Sequence, residues 1–305
     1  MNNRLKYTVP LVLFAMTIMF TFNNSYDDAL TCFFLMFGYI LVLALKRNGL
    51  SEEGDTNSTA STAIRTPLHV YYGDELNLGK ETITGILIKY FPYFRALDTA
   101  DRKKFLKRLA DFMDTKTFKI HDQDGFREMP VLISAAAIQL TFGLGRYLLP
   151  QFEFIHIYPE EFLHRNAAFN FLEGNVSGQS INISWKHFLE GYQVPDDGQN
   201  VGLHEMAHAY YWQNFITKDN IDRGFVSTFP GFNSTANKVF EQEKKQGNDL
   251  YSDYALKNSH EFWAESIEIF FEKPVQLKLA YPELYDSLKI LLNQDPLQQM
   301  VSTNG

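Results

Sequence analysis

The chain has 305 residues, 45% of them hydrophobic and 21% charged, with a formal net charge of −8. That length suits one large domain or two small ones, and the ordinary balance excludes wholesale disorder and collagen-like fibres. An acidic total gives no global field for gripping nucleic acid, and the single cysteine, Cys32, excludes a disulfide framework and cysteine-based zinc clusters.

Two uncharged apolar runs come first. Tyr7 to Phe22 reads YTVPLVLFAMTIMFTF, and Ala29 to Leu45 reads ALTCFFLMFGYILVLAL. Each is about as short as a bilayer span can be. The polar break Asn23 to Asp28 between them predicts a transmembrane helical hairpin over residues 1–47, in contact with lipid through residues 7–45. Arg4 and Lys6 precede the first run, and Lys46 and Arg47 follow the second, so the positive-inside rule keeps both ends on the cytoplasmic side. A cleaved signal peptide is the competing reading. It is disfavoured because no small-x-small site follows Phe22 and a second apolar run begins at once. Cys32, inside that run, reads as a packing residue.

Residues 48–66 contain SEEGDTNSTASTAIRT, with almost nothing to bury, and predict a flexible linker. Residues 67–305 then form the main domain. Asp98 is placed to cap a helix running to about Met113, with Phe105, Leu106, Leu109, Phe112 and Met113 on one face. Arg102, Lys103, Lys104, Lys107 and Arg108 read as a solvated face, with anionic lipid as a second use. Val131 to Leu144 is too short to span a bilayer and reads as a buried helix. Phe152 to Tyr158, Phe169 to Leu172 and Ser180 to Trp185 are strand candidates, with a loop over Gly174 to Gly178. Helices, a small sheet and helices again predict an α+β fold.

The chemistry is carried by Val201 to Tyr211, VGLHEMAHAYY. His204 and His208 are four apart, so on a helix both imidazoles point the same way and can bind one cation. Glu205, offset by one residue, is placed to take a proton from water rather than to join the ligands. Asp196, Asp197 or Asn200 can cap this helix, and Leu203, Met206, Ala207 and Tyr210 give it an apolar side.

A catalytic zinc takes three protein ligands. The metzincin extension would need Gly and His where Tyr211 and Asn214 stand, so a carboxylate from a second helix is the remaining common solution. Ser259 to Phe271, SHEFWAESIEIFF, is an apolar helix carrying Glu261, Glu265 and Glu268. A buried carboxylate is costly unless paired or bound to a cation, and Glu261 as third ligand accounts for that cost. Glu265, one turn on, is expected to accept the outer N–H of a ligand histidine. Glu268 and Glu272 read as solvated or salt-bridged. His260 is the substitute ligand, and His69, His121, His156, His164 and His187 are assigned no site.

The stretches PDDGQNVGLHEMAH, DYALKNSHEFWAESIEIFFEKP and YPELYDSLKILLNQDP, with IYPEEF before them, resemble the Mlc titration factor A family of bacterial zinc peptidases, which are gluzincins. The resemblance runs from about Ile86 to Leu297. It implies a zincin-like metallopeptidase domain with one Zn2+ held by His204, His208 and Glu261, and Glu205 as general base. It also implies a catalytic tyrosine, matched by Tyr254, whose phenol would steady the oxyanion. Two features depart from the family. Tyr210-Tyr211 stand where it commonly carries Leu-Asp, and the hairpin is additional.

The resulting expectation is a zinc metallopeptidase acting on a peptide or protein substrate. It is anchored in the bacterial inner membrane as a multi-pass protein with its catalytic domain cytoplasmic. Two alternatives use the same residues: a metal-containing binding module that sequesters a regulatory protein partner, with weak or vestigial hydrolysis, and a zinc-stabilised membrane scaffold.

Overall fold

The computed structural model describes residues 67–303, except 77, 164–170, 218 and 248–249. The chain divides into two units, Met1–Thr62 and Ala63–Gly305. The predicted hairpin over residues 1–47 and the linker over residues 48–66 lie outside the described residues. Among the described residues no helix is long and apolar enough to cross a membrane.

The fold is α+β, mostly helical with a small mixed sheet. Its strands are β1 (His69–Tyr72), β2 (Thr117–Ile120), β3 (Phe154–Tyr158), β6 (Gly174–Ser177) and β7 (Ser180–Ser184), in the order β1-β2-β3-β7-β6. A short separate pair joins β4 (Phe162–Leu163) to β5 (Phe171–Leu172). β2, β3 and β7 run parallel, while β1 and β6 are antiparallel edges. Alternate residues of a strand share a face. The register therefore aligns Phe118, Ile155 and Ile181 in one row and Ile120, Ile157 and Ile183 in the next. All six are fully buried.

The helices are α1 (Lys80–Tyr90), α2 (Pro92–Ala96), α3 (Thr99–Met113), α4 (Glu128–Thr141), α5 (Trp185–Gln193), α6 (Val201–Phe215), α7 (Arg223–Gln246), α8 (Ser259–Glu272), α9 (Pro274–Ala280), α10 (Pro282–Leu292) and α11 (Pro296–Thr303). α4 is buried on every side from Met129 to Thr141, as expected of a helix that is apolar all round. α3 begins where the sequence places it, with Asp98 accepting the Asp101 N–H. Of its basic face, Lys103, Lys104 and Lys107 are exposed as expected, while Arg102 and Arg108 are half-buried. Arg108 donates to the carbonyls of Thr141, Phe142 and Leu144, at and just beyond the end of α4. Arg102 donates to those of Phe94 and Arg95. These cations close helix ends.

The loop expected over Gly174 to Gly178 is β6. It pairs with β7 through a two-residue turn, Ser177 opposite Ser180, with Gly178 at φ +58°. Such tight hairpins need a positive φ that glycine supplies without strain. The strand expected to run to Trp185 ends at Ser184, and Trp185 opens α5. β7 is therefore internal, and β6 is the edge beside the helix that carries the histidines. α6 packs on β6, β7, α4, α5 and α8.

Candidate active site

α6 starts at Asn200, whose side chain accepts the Leu203 N–H at 3.0 Å. Its apolar side, Leu203, Met206, Ala207 and Tyr210, is buried as the pattern predicts. α8 starts at Asn258, which accepts the N–H groups of His260 and Glu261. The Trp263 indole donates to the Ala207 carbonyl at 3.0 Å, so the two helices are tied together inside the motif itself.

This crossing brings His204, His208 and Glu261 to one point. The two Nε2 atoms are 3.1 Å apart, and Glu261 Oε2 lies 3.1 Å from the first and 3.2 Å from the second. No other group of three or more His, Cys, Asp or Glu among the described residues is spaced to hold a metal ion. Around zinc, bonds of ~2.0–2.1 Å set tetrahedral ligands about 3.3–3.4 Å apart, so this triangle is close to the size of the ion. Two nitrogens and one oxygen also suit zinc. The residues fit the metal the motif implies. His260 stands aside, exposed, with its ring edge-on to Tyr211 at 4.8 Å.

The electrostatics are those of a cation site. Burial opposes a proton on His204, but the Glu268 and Glu261 carboxylates outweigh it and hold its pKa well above the usual imidazole range. Burial lowers that of His208. Burial works against the Glu261 carboxylate, yet its bonds to both rings keep its pKa below the usual range.

Glu205 is 5% exposed and has one oxygen, Oε2, with no hydrogen-bond partner. Burial, reinforced by the nearby carboxylates of Glu261 and Glu268 and opposed by His204, pushes its pKa up to about 8. Gly174 on the edge strand packs on this carboxyl. A Cβ there would lie 2.4 Å from Glu205 Oε1, so only glycine lets β6 pass so close.

Tyr254 is 47% exposed, its ring centroid 6.4 Å from that of His204. Partial burial and then the carboxylates of Glu261 and Glu205 push its phenol up to about 12, so it remains protonated and able to donate.

The expected role of Glu265 is filled by another residue. Glu265 accepts the Ser252 N–H at 2.6 Å and hydroxyl at 2.5 Å. It is Glu268 that lies 2.6 Å from His204 Nδ1. Relative to Glu261, a step of four residues and one of seven fall on opposite edges of the same face, and only the second meets the outer edge of the His204 ring. With Nδ1–H donated to Glu268, Nε2 keeps its lone pair for a cation. Glu268 also accepts the backbone N–H of Asn200, and Glu272 accepts the Asn200 side-chain amide at 2.9 Å. Both carboxylates are buried rather than solvated, and Glu268 meets the salt-bridged half of its expected reading through His204. The spacing from Glu261 was the available signal for Glu268, and the Ser-Gly-Gln-Ser turn that for β6.

Residues 77–291 match the family described as glucose-regulated metallo-peptidase M90. A protein of Synechocystis sp. (strain ATCC 27184 / PCC 6803 / Kazusa), described only as uncharacterized, is 26% identical over 70% of this chain and 83% of its own.

Proposed function

The chain belongs to the M90 family of glucose-regulated metallopeptidases, also called the Mlc titration factor family, and on that premise we propose that it is a zinc-dependent peptidase in which Glu205 is the general base. The observation that carries this reading is the unpartnered, buried Glu205 carboxylate beside three convergent donors. A purely structural zinc needs four protein ligands and no base; three ligands and a base are the catalytic arrangement.

His204, His208 and Glu261 would hold the ion, and when bound it polarises a carbonyl and acidifies water. Glu205 takes the proton of the attacking water and passes it to the leaving amine. A cation beside Glu205 favours its carboxylate form, which brings a group otherwise titrating near pH 8 into use as a base at neutral pH. Tyr254 donates to the developing oxyanion. Glu268 fixes the His204 tautomer. The β6 edge, held against Glu205 through Gly174, supplies free backbone groups on which an extended substrate can pair as an added strand.

The same proposal places the domain at a membrane, tethered by the two apolar runs of residues 7–45 with the catalytic domain on the cytoplasmic side, because both runs are uncharged and flanked by basic residues. A reporter fused at residue 50 tests the side.

The experiment that tests the activity is Glu205→Gln. It should keep stoichiometric zinc and lose peptide cleavage by 10²-fold or more, the order of a lost general base. Full cleavage by that variant would refute the reading, and full biological activity without cleavage would favour a module that sequesters a regulatory protein.

A further inference from the structure

The stripe of α6 that carries His204 and His208 continues for one more turn to Tyr211, because positions i, i+4 and i+7 share a helix face. Tyr211 meets His260, the neighbour of Glu261, with ring centroids 4.8 Å apart. Both rings also line a cavity of about 240 Å³ between α6, α7 and the start of α8. The cavity wall thus begins at Tyr211, one turn beyond His208 on the same stripe of α6, and at His260, the neighbour of Glu261.

Its walls are aromatic and interlocked. Phe229, Phe232 and Trp263 meet one another at centroid distances of 5.3 to 5.8 Å, and all three are buried. Trp263 is fixed further by its bond to Ala207. The rim is polar: Asn233 and Asn237 are exposed, one turn apart on α7, facing Ser259. Among the described residues, no Asp, Glu, Lys or Arg lines the cavity. A substrate carboxylate would find no Lys or Arg there. A substrate ammonium would find aromatic faces, which attract it, but no carboxylate to offset its lost hydration. A neutral ring with a polar edge satisfies both the walls and the rim, and the space suits one large side chain.

We infer that this cavity is the subsite for an aromatic residue, Phe or Tyr, flanking the scissile bond of the peptide substrate. The inference rests on the peptidase reading and names its substrate class.

Two measurements separate them. The first is binding without turnover: full-length Glu205→Gln, zinc-loaded and 15N-labelled, is titrated with N-acetyl-phenylalanine amide, N-acetyl-alanine amide and N-acetyl-lysine amide. The indole resonance of Trp263, assigned by its loss in Trp263→Phe, is expected to shift saturably with the phenylalanine ligand only. The second is cleavage by wild type of peptides with Phe, Ala or Lys beside the scissile bond. The Phe peptide should be preferred at least tenfold in kcat/KM, and Asn237→Phe or Asn233→Phe, which plug the rim from exposed positions, should cut the Phe-to-Ala ratio tenfold. Peptide cleavage with a silent indole and an unchanged ratio overturns the subsite alone. A response to the lysine ligand in preference also overturns it, in favour of a cation cage. A retained phenylalanine response with no cleavage of any peptide upholds the aromatic site and sinks the peptidase reading.

Discussion

Glu268 Oε1 lies 2.6 Å from His204 Nδ1, and the other oxygen of the same carboxylate accepts the backbone N–H of Asn200, the cap of α6. One buried side chain of α8 thus orients a ligand ring and anchors the start of the helix that carries it. Outer partners of ligand histidines are typically worth about 10–100-fold in metal affinity. Glu268→Gln should weaken zinc binding by that order in a chelator competition. Glu268→Ala should also cost about 1–3 kcal/mol of stability by leaving the Asn200 N–H unpaired. Glu265→Gln, whose partner is Ser252, should leave zinc affinity unchanged. An equal loss from both positions would remove the distinction.

Gly174 offers a test of the base that leaves the metal alone. A methyl group there would fall 2.4 Å from Glu205 Oε1 and 2.6 Å from its Cδ, so the carboxyl or the edge strand must move. Displacements near 1 Å can cost about 10²-fold in rate. Gly174→Ala should therefore lower kcat/KM by roughly that factor while zinc content stays stoichiometric. Activity within a factor of two of wild type would mean the base has room to spare.

Legibility followed locality. The His204–Glu205–His208 motif and the burial of Leu203 and Met206 depend on helical spacing within one segment and could be read, and the cap is narrowed to three residues that include Asn200. Glu261 could be singled out because a carboxylate on an apolar helix needs a partner. Which of Glu265 and Glu268 reaches His204 depends on how α8 crosses α6, a tertiary quantity that spacing narrows to two edges of one face. β6 escaped because Gly-Asn-Val-Ser has no alternating apolar pattern; its strand character comes from pairing with β7. The same pairing makes β7 an internal strand. On the basic face of α3 the three lysines are exposed as the pattern predicts, whereas Arg108 finds carbonyls some thirty residues away in sequence, which spacing cannot show.

Glu272 predicts a pH dependence of stability. Burial raises its carboxyl from the usual range to about 8, and the Asn200 side-chain amide donates to it. Between those two values the folded state binds more protons than the unfolded state, so stability from this group is fully present below the unfolded pKa and is lost as pH rises towards 8. The contribution is on the order of a few kcal/mol. Glu272→Gln keeps the shape and removes the titration. The loss of denaturant midpoint between pH 5 and pH 8 should be smaller in this variant than in wild type, both metal-free. Parallel curves would assign the dependence elsewhere.

Tyr254 separates transition-state stabilisation from binding. Its ring is half-exposed beside His204, and its phenol, raised to about 12, stays protonated across the working range. It is not one of the three convergent donors. A donor aimed at a developing oxyanion contributes about 10²–10³-fold in kcat. Tyr254→Phe should therefore lower kcat by that order, with KM and zinc affinity nearly unchanged. Lys257, whose ammonium sits 4.1 Å from the centroid of the Tyr254 ring, supplies the control. Lys257→Met removes the cation and should change kcat by less than the hydroxyl deletion does. If Tyr254→Phe instead raises KM at constant kcat, the phenol binds ground-state substrate, and the oxyanion role passes to other donors.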